Sequence, residues 1–238
     1  MWYHQSIDKA CNDTCIGTRN NACDKTRDKT CSHGGNMTGT VVHEIPPVWN
    51  TESRILMLGT MPSPKSRERG FFYMHPQNRF WRVLPAVFGE TLSTPNNDSD
   101  TEKAIQERKD FLLRHNIALW DVLSSCEIDG ASDSSIKNAR ANDFTQLFET
   151  TNIHHVFCTG KTAFSLWQKH CAQTYESRFS LTSTCLPSTS PANASWTIEK
   201  LVSAYAAIVA SVSSTLRVRL WNPAEGVRKQ TEFASNER

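Results

Sequence analysis

A chain of 238 residues holds one well-packed domain with tails, and two substantial domains would be tight. A net charge of +2 excludes a broad basic field as the source of any nucleic-acid affinity, which must then come from locally placed donors. No run of about 18 apolar residues is available to cross a bilayer, and the first ten residues lack the apolar core of a secretory signal, so an intracellular chain is expected, its compartment open.

Residues 1–45 are rich in Asn, Asp, Thr, Lys and Gly and carry almost no aliphatic periodicity. Such a composition buries too little apolar surface to offset the entropy of ordering, and a flexible extension is expected. Cys11, Cys15, Cys23 and Cys31 lie in it without the tight CxxC knuckle of a structural metal site, so no metal is assigned to them. Cys126, Cys158, Cys171 and Cys185 sit in apolar surroundings and read as buried reduced thiols.

The folded domain is placed at residues 46–215. Residues 54–60 form a short apolar run ending in glycine, the pattern of a strand buried on both faces. Phe80, Trp81, Leu84 and Phe88 recur at helical spacing over residues 78–88, with Gly89 as the stop and Pro85 an internal irregularity. After a polar loop at 91–100, Ser99 and Glu102 make a capping-box pattern for a helix reaching His115. A second strand follows at 117–123, and then a short helix capped by Asn142. A third strand is placed at 155–160, with a helical stripe of Phe164, Trp167 and Cys171 behind it. A fourth strand is read around 179–186, a closing helix at 197–212, and a tail at 216–238 that is expected to be partly disordered.

Continuously apolar strands alternating with helices predict an α/β domain around a mainly parallel sheet. In such sheets ligands bind beyond the carboxyl ends of the strands. Three segments near those ends are not explained by core packing: GTMPSPKS (59–66), FYMHPQNRFW (72–81) and LPSTSPAN (186–193). Asn78 is either a helix cap or a polar group of a site, or both. His75 either donates to a ligand or satisfies the turn before Pro76. Tyr73 and Phe72 either wall a base pocket or fill core. Asp121 either reads a ligand or caps a turn. The hydroxyls of Ser63, Ser66, Ser188, Thr189 and Ser190 suit phosphate contact in a chain with little net charge, as do Lys65, Arg67 and Arg69. A generic Ser/Pro loop is the plain alternative for the hydroxyl segments.

The order of GTMPS, then YMHPQNRFW, then WDVL (120–123), then LPSTSPAN resembles the hypoxanthine-DNA (deoxyinosine) glycosylase family of the uracil-DNA glycosylase superfamily, over residues 53–205. The resemblance implies a three-layer α/β/α sandwich with a short, mainly parallel four-stranded sheet. It also implies a monofunctional glycosylase that flips a deaminated base out of DNA, hypoxanthine first and uracil as the alternative. Partners are then DNA containing deaminated bases and no membrane, with a monomer as the default and no cofactor needed. Many superfamily members carry Asp or Asn just before the motif proline, where this chain has Met61. The resembling family points instead to Asn78 as the catalytic group, which orients water or bonds the base, since an amide has no useful basicity. Gly59, Thr60, Tyr73, His75 and Asp121 are placed at the base. A uracil or mismatch glycosylase and a non-catalytic lesion binder are the competing readings. A nucleoside hydrolase is disfavoured by the lack of an Asp-rich calcium cluster.

Overall fold

The structure is a computed structural model that describes residues 40–130 and 132–213. The expectations for the cysteines of the extension and for the tail at 216–238 lie outside the described residues.

Four strands form the central sheet: β2 (Ile55–Gly59), β3 (Ile117–Asp121), β6 (His155–Thr159) and β7 (Thr182–Leu186). Their order is β3-β2-β6-β7, and all three pairings are parallel. Residues of β2 alternate between two cores because side chains of a strand point to opposite faces. Ile55 and Met57 join one cluster, with Phe80, Leu84, Phe111, Leu201 and Tyr205. Leu56 and Leu58 join the other, with Phe144, Phe148, Trp167 and Tyr175. The short helix α1 (Pro64–Glu68) follows β2, and helices α2 (Phe80–Val87), α3 (Thr101–Arg114), α7 (Ile198–Tyr205) and α8 (Ala207–Ser213) supply the first layer. Helices α4 (Thr145–Thr150), α5 (Lys161–Trp167) and α6 (Gln173–Phe179) supply the opposite one, with a π-helical turn at Gln168–Ala172 joining the last two. This is the three-layer sandwich with a four-stranded parallel sheet that the sequence implies.

A second sheet departs from that expectation. The apolar run at 117–123 is not one strand, because the chain bends at Val122 and continues as β4 (Leu123–Glu127). Around it lie β1 (Thr40–Val42) and β5 (Lys137–Ala141), giving a three-stranded antiparallel sheet in the order β1-β4-β5. Thr40–Val42 fall within the extension assigned by composition, so ordered structure begins before residue 46. Three residues make too short a run for hydrophobic periodicity to register, and β1 is specified by pairing with β4.

Capping details also differ. Asp100, not Ser99, caps α3, its side chain accepting from the Lys103 N–H. Asn142 does not cap α4; its Nδ2 donates to the Asp121 carbonyl at 2.9 Å, and Asp143 accepts the Thr145 N–H instead. The closing helix is divided at Ala206, and Thr197 caps its first half. Helix α2 runs through Pro85 to Val87 before Gly89 adopts φ +72°. Cys126, Cys158 and Cys171 are buried thiols as expected, and burial pushes Cys171 up to about 12. Cys185 is exposed: it lies on the edge strand β7, beside the buried Cys158 of β6.

Candidate active site

The carboxyl ends of the central strands open into a cleft of about 650 Å³. At its floor Gly59 and Asp121 stand side by side in the β2–β3 register. A Cβ on residue 59 would lie 2.1 Å from Asp121 Oδ1 and 2.8 Å from the Tyr73 hydroxyl, so only glycine admits both groups. Asp121 is 3 % exposed. Its Oδ2 meets His43 Nε2 at 2.9 Å, whereas Oδ1 has no hydrogen-bond partner among the described residues.

Tyr73 sits above this floor in the left-handed region, φ +56°, a conformation that costs a non-glycine residue of order 1–3 kcal/mol. Three contacts hold it there. Its ring stacks on Phe80 with centroids 3.9 Å apart, and its carbonyl accepts from Asn96 Nδ2. Its hydroxyl lies 2.7 Å from Thr159 Oγ1. Thr159 spends its single proton on the Leu58 carbonyl, which makes Tyr73 the donor of that pair. Burial, and then the Asp121 charge, push the Tyr73 phenol well above its ordinary 10, so it stays protonated and takes no part as a base.

Asn78 has a fixed orientation. A backbone N–H can only donate, so the 2.9 Å bond from Phe80 N identifies the facing side-chain atom of Asn78 as Oδ1. The Thr189 hydroxyl donates to the same oxygen at 2.9 Å. The cap position of α2 is Arg79 rather than Asn78; Asn78 stands one residue earlier and accepts the first helical N–H, bracing the start of the helix while it lines the cleft. With Oδ1 engaged twice, Nδ2 is left as the amide's group for the cleft that Asn78 lines.

Three side chains outside the cleft lining, Asn96, Arg108 and Arg79, lock the loops that line it. Asn96 Nδ2 reaches the carbonyls of Tyr73, His75 and Asn78 at 3.2, 2.9 and 3.1 Å, while its Oδ1 accepts from Arg108. Arg108 is fully buried, bonded also to Thr94 and the Ala104 carbonyl, and lies over the Trp81 ring. Desolvation brings its pKa down to about 10, which still leaves it charged. Arg79 clamps the second loop, its guanidinium donating to the carbonyls of Thr189, Ser190, Asn193 and Trp196.

Of the residues singled out from the sequence, Gly59, Thr60, Ser63, Ser66, Phe72, Tyr73, His75, Asn78, Asp121, Ser188, Thr189 and Ser190 line this one cleft, whereas Lys65, Arg67 and Arg69 are not in its lining. Their local duties divide them. Ser66 and Thr189, expected at phosphates, are 2 % and 1 % exposed. Ser66 accepts from Met74 N and Ser63 Oγ, and Thr189 serves Asn78, so both hold loops together. Ser63, Ser188 and Ser190 remain half-buried at the rim. Arg67 and Arg69 are spent on the carbonyls of Pro62 and Asp98, and Lys65 pairs with Glu68. His75 Nδ1 accepts the Gln77 N–H, so the neutral ring carries its proton on Nε2. The Thr60 hydroxyl donates to Asp133 Oδ2 at 3.0 Å.

Asp133 was not legible as a site residue, and neither were His43, Asn96, Arg79 or Arg108. Asp133 lines the cleft from the β4–β5 connection, its pKa raised by desolvation and further by Asp121 against the Thr60 hydrogen bond. A polar Asp-Ser-Ser run reads as any surface loop. The other four are recognisable only from their three-dimensional partners.

The chain is thus an α/β/α sandwich with a polar cleft beyond the carboxyl ends of a parallel four-stranded sheet, where ligands of such folds bind. The Uracil DNA glycosylase superfamily matches residues 46–210. The chain is 33% identical over 139 residues to the hypoxanthine DNA glycosylase of Methanosarcina barkeri, covering 58% of this chain and 83% of that protein. It is also 33% identical over 114 residues to the hypoxanthine DNA glycosylase of Methanosarcina acetivorans, covering 48% of this chain and 66% of the relative. A solution NMR structure of a candidate uracil DNA glycosylase from M. acetivorans superposes with a TM-score of 0.54 at 25% identity, over 70% of this chain and 98% of the other. The chain belongs to the uracil DNA glycosylase superfamily and, within it, to the hypoxanthine DNA glycosylase family. It is a DNA glycosylase, a hydrolase of DNA repair whose substrate is DNA. Among the described residues no helix is long and apolar enough to cross a membrane.

The floor geometry predicts that Gly59→Ala displaces Asp121 or Tyr73 and lowers stability by about 1–3 kcal/mol, as overpacking does. Denaturant midpoints test this, and an unchanged midpoint would mean that the floor is looser than described.

Glu107 gives a pH prediction. Burial alone would raise its carboxyl, but hydrogen bonds from Thr94 and Ser93 outweigh it and bring the group down to about 2. A folded-state pKa below the unfolded value gives stability that is present above about pH 4.5 and lost as pH falls towards 2. Glu107→Gln should flatten the acid limb of the stability curve across that window and leave its slope above pH 5 unaltered. An acid limb identical to wild type would contradict the assignment.

Proposed function

We propose that this DNA glycosylase is monofunctional and removes a deaminated base, hypoxanthine foremost, after the nucleotide has turned out of the duplex into the cleft. The orientation of Asn78 carries this reading. As the C1′–N bond breaks, its electron pair leaves with the base, and positive charge develops on the sugar. Asn78 Nδ2 is a donor, so it suits an acceptor on the departing base, where negative charge builds. Water then adds its oxygen to C1′, and its proton ends on the released base. The carboxylate of Asp133, which lines the cleft, favours the cationic sugar.

The other residues follow from their geometry. Tyr73, with Phe72 beside it, offers an aromatic wall for the flipped base, and Gly59 leaves room for the Asp121 carboxylate and the Tyr73 hydroxyl that meet that base. His75 Nε2–H donates to the base or to a phosphate. Thr60 keeps the Asp133 carboxylate in place. Ser63, Ser188 and Ser190 meet the DNA backbone at the rim through hydroxyl and amide donors. Asp121 Oδ1 accepts a base N–H, a group that hypoxanthine carries at N1 and uracil at N3. That shared donor supports uracil as a second substrate.

The test is a duplex assay with one hypoxanthine, uracil or adenine per strand. Hypoxanthine strands should break only after alkali, as expected of a monofunctional enzyme, and Asn78→Ala should slow release by about 10²–10³-fold, the scale of one lost transition-state donor. Breakage without alkali would contradict the monofunctional reading, and full activity in Asn78→Ala would contradict the role of the amide.

A further inference from the structure

The polar contact to Asp121 comes from an unexpected place. His43 follows the three-residue strand β1, outside residues 46–210 that match the superfamily. Its side chain is 1 % exposed, Asp121's is 5 %, and Nε2 lies 2.9 Å from Oδ2. The ring packs near Phe72, with centroids 5.9 Å apart, and the His43 N–H donates to the Ser124 carbonyl at 2.8 Å. The small antiparallel sheet therefore holds both partners. His43 rides on β1 paired to β4, while Asp121 ends β3 and is tied to β4 through Val122 alone. Asn142, just after β5, fixes the Asp121 carbonyl.

Resting on the glycosylase reading above, we propose that His43 is a positioning residue: it holds Asp121 by Oδ2 so that Oδ1 accepts the ring N–H of a lactam base, and it draws carboxylate charge away from the leaving group. A buried carboxylate with one oxygen bonded inside the protein and the other facing the cleft is a one-acceptor reader. It accepts bases whose Watson–Crick edge presents a ring N–H beside a carbonyl, a set that holds hypoxanthine and uracil together with guanine and thymine. It disfavours adenine and cytosine, which present a bare ring nitrogen there and would leave two acceptors face to face. The same carboxylate opposes the negative charge that builds on the departing base. A donor on Oδ2 offsets part of that opposition, and this is the physical reason for pairing the reader with a histidine rather than leaving it free.

The experiment compares His43→Gln and His43→Met in the full chain. Both side chains reach about as far as the imidazole, and only glutamine offers a donor near the position of Nε2. Single-turnover rates, KM and thermal midpoints are measured on hypoxanthine and uracil duplexes, together with Asp121→Ala and the His43→Met/Asp121→Ala double variant. His43→Met should slow base release about 10–100-fold, by a similar factor for both bases, with KM changed less than about threefold. Glutamine should recover most of that loss. In the double variant the methionine should add no further slowing to that of Asp121→Ala, because His43 acts through Asp121. Equal rates for the two His43 variants, or factors that multiply in the double variant, would overturn the proposal while leaving the glycosylase reading standing. A wild-type protein that releases neither hypoxanthine nor uracil would overturn both.

Discussion

A carboxylate oxygen and a phenolic hydroxyl occupy the space where residue 59 would carry a side chain, and much of the architecture serves that approach. The glycine ends the central strand β2, so its neighbours across the sheet, Asp121 and the segment leading to Thr159, arrive in register beside it. Two buried layers of helices fix those strands rigidly, and the cleft inherits their precision. Tyr73 completes the floor only by adopting φ +56°, and the stack on Phe80, the Thr159 hydrogen bond and the Asn96 amide together offset that strain.

The loops above the floor follow the same logic of internal satisfaction. Short segments rich in Pro, Ser and Asn have few apolar contacts to order them, so their backbone carbonyls are gathered by cationic and amide side chains. Arg79 collects the 189–196 loop, and Asn96, backed by Arg108, collects the 73–78 loop. The cost is that most arginines near the cleft are spent inside the protein. The proposed grip on DNA then falls to hydroxyls and backbone amides at the rim, which suits a chain whose net charge is only +2.

How far the sequence revealed this depends on the range of each signal. The four central strands and the strand-end loops were legible because apolar runs and Gly/Pro punctuation are local patterns. The resemblance groups Gly59, Tyr73, Asn78 and Asp121, and the structure brings them into one cleft. The second sheet was not legible: β1 is three residues long and β5, Lys137–Ala141, alternates only through two alanines, so each is a strand chiefly because of its partner. His43, Asn96 and Arg108 were missed for the same reason, since a buried polar residue is identified by the atoms it meets and not by its neighbours in sequence. Ser66 and Thr189 show the reverse error, where hydroxyls chosen for a surface role prove to be internal braces.

The central claim is that one carboxylate oxygen and one oriented amide read and release a base turned into this cleft. It is tested most directly by a crystal structure of the protein bound to a duplex carrying 2′-fluoro-deoxyinosine, whose electron-poor sugar resists cleavage. Hypoxanthine is expected inside the cleft against Tyr73, with N1 within about 3 Å of Asp121 Oδ1 and Asn78 Nδ2 facing an acceptor of the ring. A base that stays stacked in the duplex, or that enters with its N1 edge turned away from Asp121, would contradict it.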